Sequence, residues 1–249
     1  MHRFHLPPAE CRAATLRLTD AEAHHAARVL RVQPGERVSV LDGAGHELFC
    51  EVIEANKRGV ALRVVERKFS APLPCQITLL QAVPKGKIIE SIIQKATELG
   101  AHRIVPILSE RVVAHIAAAD AQGRAEKWQQ VAIEAIKQCG AVWLPQVGEP
   151  MTLEQFLARH EQFDLVLVGS LQSNARHPRE VLRDCEAVRG SRPRSVAVWI
   201  GPEGDFSLEE LKVIRGSGAE AITLGRLVLR VETAAIYCLS FLNYELQRD

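Results

Sequence analysis

No stretch of this 249-residue chain is apolar for long enough to cross a bilayer, which takes about 20 residues. The opening residues, "MHRFHLPPAECR", lack the apolar core of a secretory signal. The six cysteines (Cys11, Cys50, Cys75, Cys139, Cys185, Cys238) are scattered singly, with no C-x-x-C pair. That pattern argues against a zinc site and a disulfide framework, and fits a small apolar role in a reducing, cytoplasmic setting. A large charge of either sign is also missing. The formal net charge is +1, so any nucleic-acid contact has to come from local patches. Neither G-x-G-x-x-G nor G-x-x-x-x-G-K-[ST] occurs, so dinucleotide and P-loop phosphate binding are poorly supported. There is no G-x-S-x-G elbow. His24 and His25 are neighbours, so on a helix they point about 100° apart and do not chelate jointly; no metal site is expected.

The composition that remains is that of a globular chain with a real core: 47% hydrophobic, 24% charged. A boundary falls at "FSAPLPC", Phe69 to Cys75, where two prolines and a serine separate two patterns. Residues 1–70 read as a small β-rich barrel with one helix. Thr19 and Glu22 have capping-box spacing, and "ERVSVLDG", "HELFCEVIEA" and "GVALRVVERK" alternate as strands. Residues 71–249 alternate strand and helix. "QITLLQAV", "HRIVPIL", "FDLVLVG", "SVAVWIG" and "AEAITLG" read as strands, the near-continuous apolar runs being typical of parallel strands buried on both faces. Helices stop at Gly100 and Gly140, and Thr152…Gln155 and Ser207…Glu210 are further capping boxes. The expected fold class is therefore α/β with a parallel sheet, preceded by a small β domain.

Three glycines follow three of these strands: Gly169 after "LVLV", Gly201 after "VWI" and Gly225 after "ITL". Ligands in open α/β sheets bind at the carboxyl ends of the strands, and glycine lets the backbone approach them. One such turn is usually just a turn; three at equivalent ends point to a shared pocket. The corner Gly201-Pro202-Glu203-Gly204 suits a neutral or cationic ligand better than a phosphate. The commoner role for Glu203 is a helix first turn, where the dipole favours a carboxylate. In "LGRLVLRVETAA", Arg230 and Glu232 read either as an ion pair or as groups that order a ligand loop. Arg28 and Arg31 are spaced i,i+3, one helical turn apart. Lys85, Lys87 and Arg111 follow strands, and Lys95 lies on the helix between. Any one is explained by a solvated face; together they suit phosphate contacts.

Four stretches, "HHAARVLRVQPGERVSVLDGAG", "IIESIIQKATELGAHRIVPILSERVV", "IGPEGDFSLEEL" and "LGRLVLRVETA", resemble the bacterial 16S rRNA uridine-N3 methyltransferases of the SPOUT class, across nearly the whole chain. The resemblance implies a PUA-like RNA-binding barrel over 1–70 and an AdoMet-binding SPOUT domain with a trefoil knot over 71–249. It implies a homodimer that uses S-adenosylmethionine (AdoMet) to methylate N3 of one uridine near the decoding centre of the small ribosomal subunit. It places the cofactor against Gly169, Ser170, Leu171, Ile200, Gly201, Pro202, Glu203, Gly204, Leu224, Gly225, Leu229 and Arg230. Arg230 and Glu203 become catalytic candidates, Arg230 for stabilising or orienting the uracil and Glu203 for base or binding. The six basic residues named above become RNA-binding candidates.

The chain departs from the family pattern three times. Asp205 stands where the family usually has glycine, Val231 replaces the usual Thr, and Ala141 replaces an Arg. Asp tolerates left-handed geometry better than most residues, so the turn is expected to survive. The departures motivate an alternative, a non-catalytic RNA-binding or ribosome-assembly factor on the same fold. A nicotinamide-dependent oxidoreductase is weighed against by the missing glycine fingerprint.

Overall fold

The computed structural model describes residues 1–56, 59–111 and 118–247. It divides into two compact units, Met1–Pro72 with Ile133–Leu144, and Leu73–Ala132 with Pro145–Asp249. The segment 133–144 therefore packs with the N-terminal residues although it follows the linker by some 60 positions.

The first unit is a five-stranded sheet. Its strands are β1 (His2–His5), β2 (Thr15–Leu18), β3 (Arg37–Leu41), β4 (His46–Asn56) and β5 (Gly59–Phe69). They are ordered β1-β3-β4-β5-β2, with β1 parallel to β3 and the remaining pairs antiparallel. Period-two alternation decides what is buried: Leu48, Cys50 and Val52 of β4 and Val60 and Leu62 of β5 join Phe4, Leu16, Leu18, Val38 and Val40 in one core. β1 and β2, four residues each, have no counterpart in the sequence reading.

The expected helix after Thr19 forms, with a different start and interior. α1 (Asp20–His24) runs directly into a π-helical stretch, His25–Leu30. Thr19 occupies the N-cap but its side chain makes no capping bond, and Asp20 has φ +46°. The capping box expected there is not made. Arg31 ends the segment in the left-handed region at φ 55°. Wider π-helical spacing and this left-handed residue remove the basis for reading Arg28 and Arg31 as an i,i+3 pair on one α-helical face.

The second unit is a parallel sheet built from β6 (Gln76–Ala82), β7 (Arg103–Leu108), β8 (Gln146–Val147), β9 (Met151–Thr152), β10 (Leu165–Gly169), β11 (Ser195–Ile200) and β12 (Glu220–Ile222). Its order is β12-β10-β11-β6-β7-β8, with β9 also on β7. Each central strand is buried on both faces, as parallel strands covered by helices must be. Leu80, Val105, Ile107, Ala197 and Trp199 pack with Leu153 and Phe156 of α4 (Leu153–Leu157) and Leu211 and Ile214 of α6 (Leu208–Gly216). α2 (Ile88–Glu98) and α7 (Val231–Leu246) pack on each other, and α7 also lies against β6 and β11. α3 (Ala121–Cys139) and α5 (Pro178–Arg189) are further α-helices among the described residues. α5 is started by His177, whose ring accepts the Arg179 N–H, and by Pro178 in its first turn. The capping boxes at Thr152…Gln155 and Ser207…Glu210 are both made in full. Four cysteines are buried as expected; Cys139 is exposed and Cys185 intermediate. Among the described residues no helix is long and apolar enough to cross a membrane.

Candidate functional site

The carboxyl ends of β10, β11 and β12 open into one cleft of about 590 Å³, part of it open to solvent. Its walls are the three glycine turns picked out in the sequence. Gly169 ends β10 and Ser170 and Leu171 follow it; Ile200 ends β11 and Gly201 to Glu203 and Asp205 follow it; Leu224, Gly225 and Leu229 follow β12. Leu227, Val228, Val231 and Ala234 complete the lining. Two expected residues are not in the lining. Gly204 is exposed, and Arg230 is the exposed N-cap of α7, its carbonyl accepting the Ala234 N–H at 2.8 Å. Among the described residues no ion pair joins Arg230 to Glu232.

The glycines do different things. A Cβ on Gly169 would meet Ile200 Cδ1 and Leu224 Cδ1 at 3.5 Å, an ordinary contact. Gly225 has open space around it, but its φ of +106° belongs to glycine. Gly201 is the crowded one: a Cβ there would sit 3.0 Å from Asp205 Oδ1 and 3.2 Å from the Phe206 nitrogen. Its smallness is needed by the turn itself.

That turn is held from three sides. The Asp205 N–H reaches the Pro202 carbonyl at 2.9 Å, and Asp205 Oδ1 accepts the Phe206 N–H at 2.8 Å. Glu203 Oε1 accepts the Lys85 N–H at 3.0 Å, tying the corner to the loop after β6. The Arg111 guanidinium donates to the Gly204 carbonyl, tying it to the chain after β7. Glu210, almost wholly buried, accepts the Glu110 N–H at 2.9 Å and the Ser207 N–H at 2.8 Å, fastening the same chain to the start of α6. Asp205 adopts φ 60°, so the turn expected of glycine is kept by an aspartate. Burial pushes its carboxyl above the ordinary aspartate range, against the opposing pull of the Phe206 N–H and Arg111.

The cleft can therefore present backbone groups and aliphatic walls to a flat, largely apolar ligand. The carboxylates of Glu203 and Asp205 on one side are suited to a positive charge and poorly suited to a phosphate. Among the described residues no three His, Cys, Asp or Glu gather as metal donors.

The expected basic residues divide. Lys85 and Lys87 are exposed around Gly86, and Arg111 joins them at the corner. Lys95 is engaged by both oxygens of Glu98 at 3.0 Å. Arg28 and Arg31 are exposed in the first unit. The sequence reading had Asp205 and Val231 only as departures and passed over Leu227, Val228 and Ala234. Ala234 was findable, standing one helical turn beyond Arg230 on the helix that closes the cleft.

A parallel α/β sheet with a cleft at its strand ends, preceded by a small β unit, is an architecture that known families share. The family described as "RNA methyltransferase domain" matches residues 71–243, and that described as "RNA methyltransferase PUA domain" matches 18–65. The ribosomal RNA small subunit methyltransferase E of Synechocystis is 32% identical over 246 residues, covering 97% of this chain and 77% of that protein. A solved chain from Legionella pneumophila, in complex with the bound cofactor SAM, is 31% identical with a TM-score of 0.88, covering 98% of this chain and 97% of that one. The ribosomal RNA small subunit methyltransferase E of Neisseria gonorrhoeae, bound to S-adenosyl methionine, is 26% identical with a TM-score of 0.86, covering 98% of each chain. The chain belongs to the ribosomal RNA small subunit methyltransferase E family, with a PUA-like β unit and a SPOUT methyltransferase domain.

Proposed function

We propose that this protein transfers a methyl group from AdoMet to N3 of a specific uridine in 16S rRNA of the small ribosomal subunit. The observation that carries the reading is the cleft itself: three strand-end turns of an RNA methyltransferase domain converge on one space with aliphatic walls and two carboxylates. AdoMet supplies the methyl group on a sulfonium cation.

Ile200, Gly201, Leu224 and Leu229 offer backbone groups to adenine and ribose, with Leu171 and Val231 as apolar walls. Glu203 and Asp205 give the positive charge a favourable side. The attack needs nucleophile and methyl in line, and holding that alignment is worth roughly 7–11 kcal/mol. Arg230, exposed at the rim, orients the uracil and stabilises negative charge spreading onto O2 and O4 as N3 loses its proton. Glu203 already accepts the Lys85 N–H, so it acts first as a positioning group for the corner. The target base has to leave its stack, which costs about a few kcal/mol. Residues 1–70 bind RNA in this reading, with Arg28 and Arg31 on that unit and Lys85, Lys87, Lys95 and Arg111 around the methyltransferase domain. A homodimer is supported by exposed apolar surface on α7, at Tyr237, and on the cleft lip, at Leu227 and Val228. The protein works in the cytoplasm, where its substrate is.

The test uses radiolabelled AdoMet and small subunits from cells lacking the endogenous enzyme, with the RNA digested to nucleosides. Label in 3-methyluridine is the expected result. Tight AdoMet and RNA binding with no label would instead favour the non-catalytic assembly factor that Asp205, Val231 and Ala141 motivate. Sedimentation at micromolar concentration tests the dimer.

A further inference from the structure

Three aromatic rings sit together on the first unit, none of them among the cleft residues or the six basic residues named above. The His46 and Phe69 ring centroids are 5.0 Å apart, and those of Phe69 and Trp143 are 6.3 Å apart. Neither Phe69 nor Trp143 belongs to the core of this unit. Phe69 is 58% exposed and Trp143 37%, while Trp128 and Trp199 are 2% and 1% exposed.

The rings are held firmly despite that exposure. The Trp143 indole N–H donates to the Ser70 carbonyl at 3.0 Å. His46 Nδ1 bonds Asp42 Oδ2 at 2.8 Å. The backbone underneath is laced: Gly45 N–H to Val142 carbonyl, Leu144 N–H to Gly43 carbonyl, Ser70 N–H to Gly45 carbonyl. Gly45 makes the cluster possible, because a Cβ there would lie 2.7 Å from both Phe69 and Trp143. A rigid apolar surface kept in water is costly for a fold and favourable for a binder, since little ordering remains to be done.

We propose that His46, Phe69 and Trp143 form a stacking platform for an unpaired nucleobase of a single-stranded RNA segment. Aromatic side chains on a β surface are how proteins take hold of splayed bases. A cation on the flank of the rings suits a phosphate chain. Arg67, two residues from Phe69 on the same strand face, is a cation fixed by the carbonyls of Cys11, Arg12 and Ala13. The nearby acids are engaged: Asp42 by the Ala44 and His46 N–H groups and the His46 ring, Glu47 by the Ser39 hydroxyl. The inference takes its ligand class from the proposed RNA substrate and is independent of the methyl-transfer chemistry.

Trp143 is the one exposed tryptophan of three, so the full-length protein's own fluorescence reports on it. The probes are a short unstructured RNA oligonucleotide and the same backbone made abasic. The expected result is quenching by the first and none by the second at equal ionic strength. Trp143→Leu and Phe69→Leu, which keep bulk and lose stacking, should each weaken oligonucleotide binding by roughly 5- to 100-fold, with AdoMet affinity unchanged. Equal quenching by the abasic strand, no quenching by either, or unaltered binding by both leucine variants would overturn the proposal. So would an emission change that tracks protein concentration without RNA, which would mean a second copy covers the rings. Quenching without methyl transfer would sink the activity and leave the platform standing.

Discussion

The two units of this protein solve the problem of exposing a binding surface in opposite ways. In the second unit the sheet is parallel and covered on both faces, so its cleft opens at the strand ends and is lined by turn backbone and turn side chains. In the first unit the sheet is mostly antiparallel, and what the unit displays is side chains: Arg28 and Arg31 on the helical segment after α1, and the ring cluster beside Arg67. The difference teaches where each unit is vulnerable. Glycine and turn changes should damage the second unit's binding, and side-chain truncations the first unit's.

The sharpest break of that comparison is Gly201→Val. The added carbons meet the Asp205 carboxylate and the Phe206 backbone, so the turn must move. AdoMet affinity should fall by about 10- to 100-fold, in line with the roughly 1–3 kcal/mol that overpacking costs, with the far-ultraviolet dichroism of the fold retained. Unchanged affinity by calorimetry would remove the corner from the site.

Glu210→Ala comes next. It strips two backbone N–H groups of their acceptor beneath the corner, and an unsatisfied buried donor costs about 1–3 kcal/mol. The urea midpoint should drop clearly, and Glu210→Gln should recover part of the loss. A midpoint equal to wild type would mean water replaces the carboxylate.

A matched pair then compares the units directly. Gly225 and Gly35 both have positive φ, +106° and +88°, and open space for a Cβ. Alanine at either should cost about 1 kcal/mol in stability from backbone strain. Only Gly225→Ala should weaken AdoMet binding. If Gly35→Ala weakens it equally, the division of labour between the units fails.

Asp205 offers a pH test. Its carboxyl is pushed up by burial, so folding disfavours the ionised form. Below the ordinary aspartate value both states are protonated and the group contributes nothing. As pH rises from there to the folded-state value, wild type should lose stability relative to Asp205→Asn, and the gap should then stay level. Melting curves from pH 3 to 8 check this; a gap that narrows with pH would reverse the assigned sign. The smallest expected effect is on the RNA side. Arg28→Ala with Arg31→Ala should reduce the salt slope of RNA binding by about 2 and leave AdoMet binding alone.

Much of the second unit was legible in the sequence because its signals are local. Apolar runs gave the strands, serine and threonine gave two capping boxes, and three glycines marked turns that line the cleft. What failed to show was non-local or weakly patterned. β1 and β2 are four residues each, too short for periodicity to register. Thr19 had the right neighbours for a cap and makes none, because Asp20 turns left-handed and the helix widens to π spacing. α5 went unread although Pro178 and Gly190 mark its ends. Asp205 was noticed for what it replaces; its buried carboxyl in the lining follows from packing that no spacing rule encodes.

The membership of residues 133–144 in the first unit has a consequence for synthesis. A ribosome adding roughly 5–20 residues per second makes the N-terminal sheet well before it makes the strip carrying Trp143. For some seconds the nascent chain presents a five-stranded unit whose last piece has not yet been translated. Chaperones or RNA meeting the chain in that interval meet a different surface from the finished protein's. Slowing translation between codons 73 and 133 should therefore prolong a state that equilibrium measurements on the purified protein never sample.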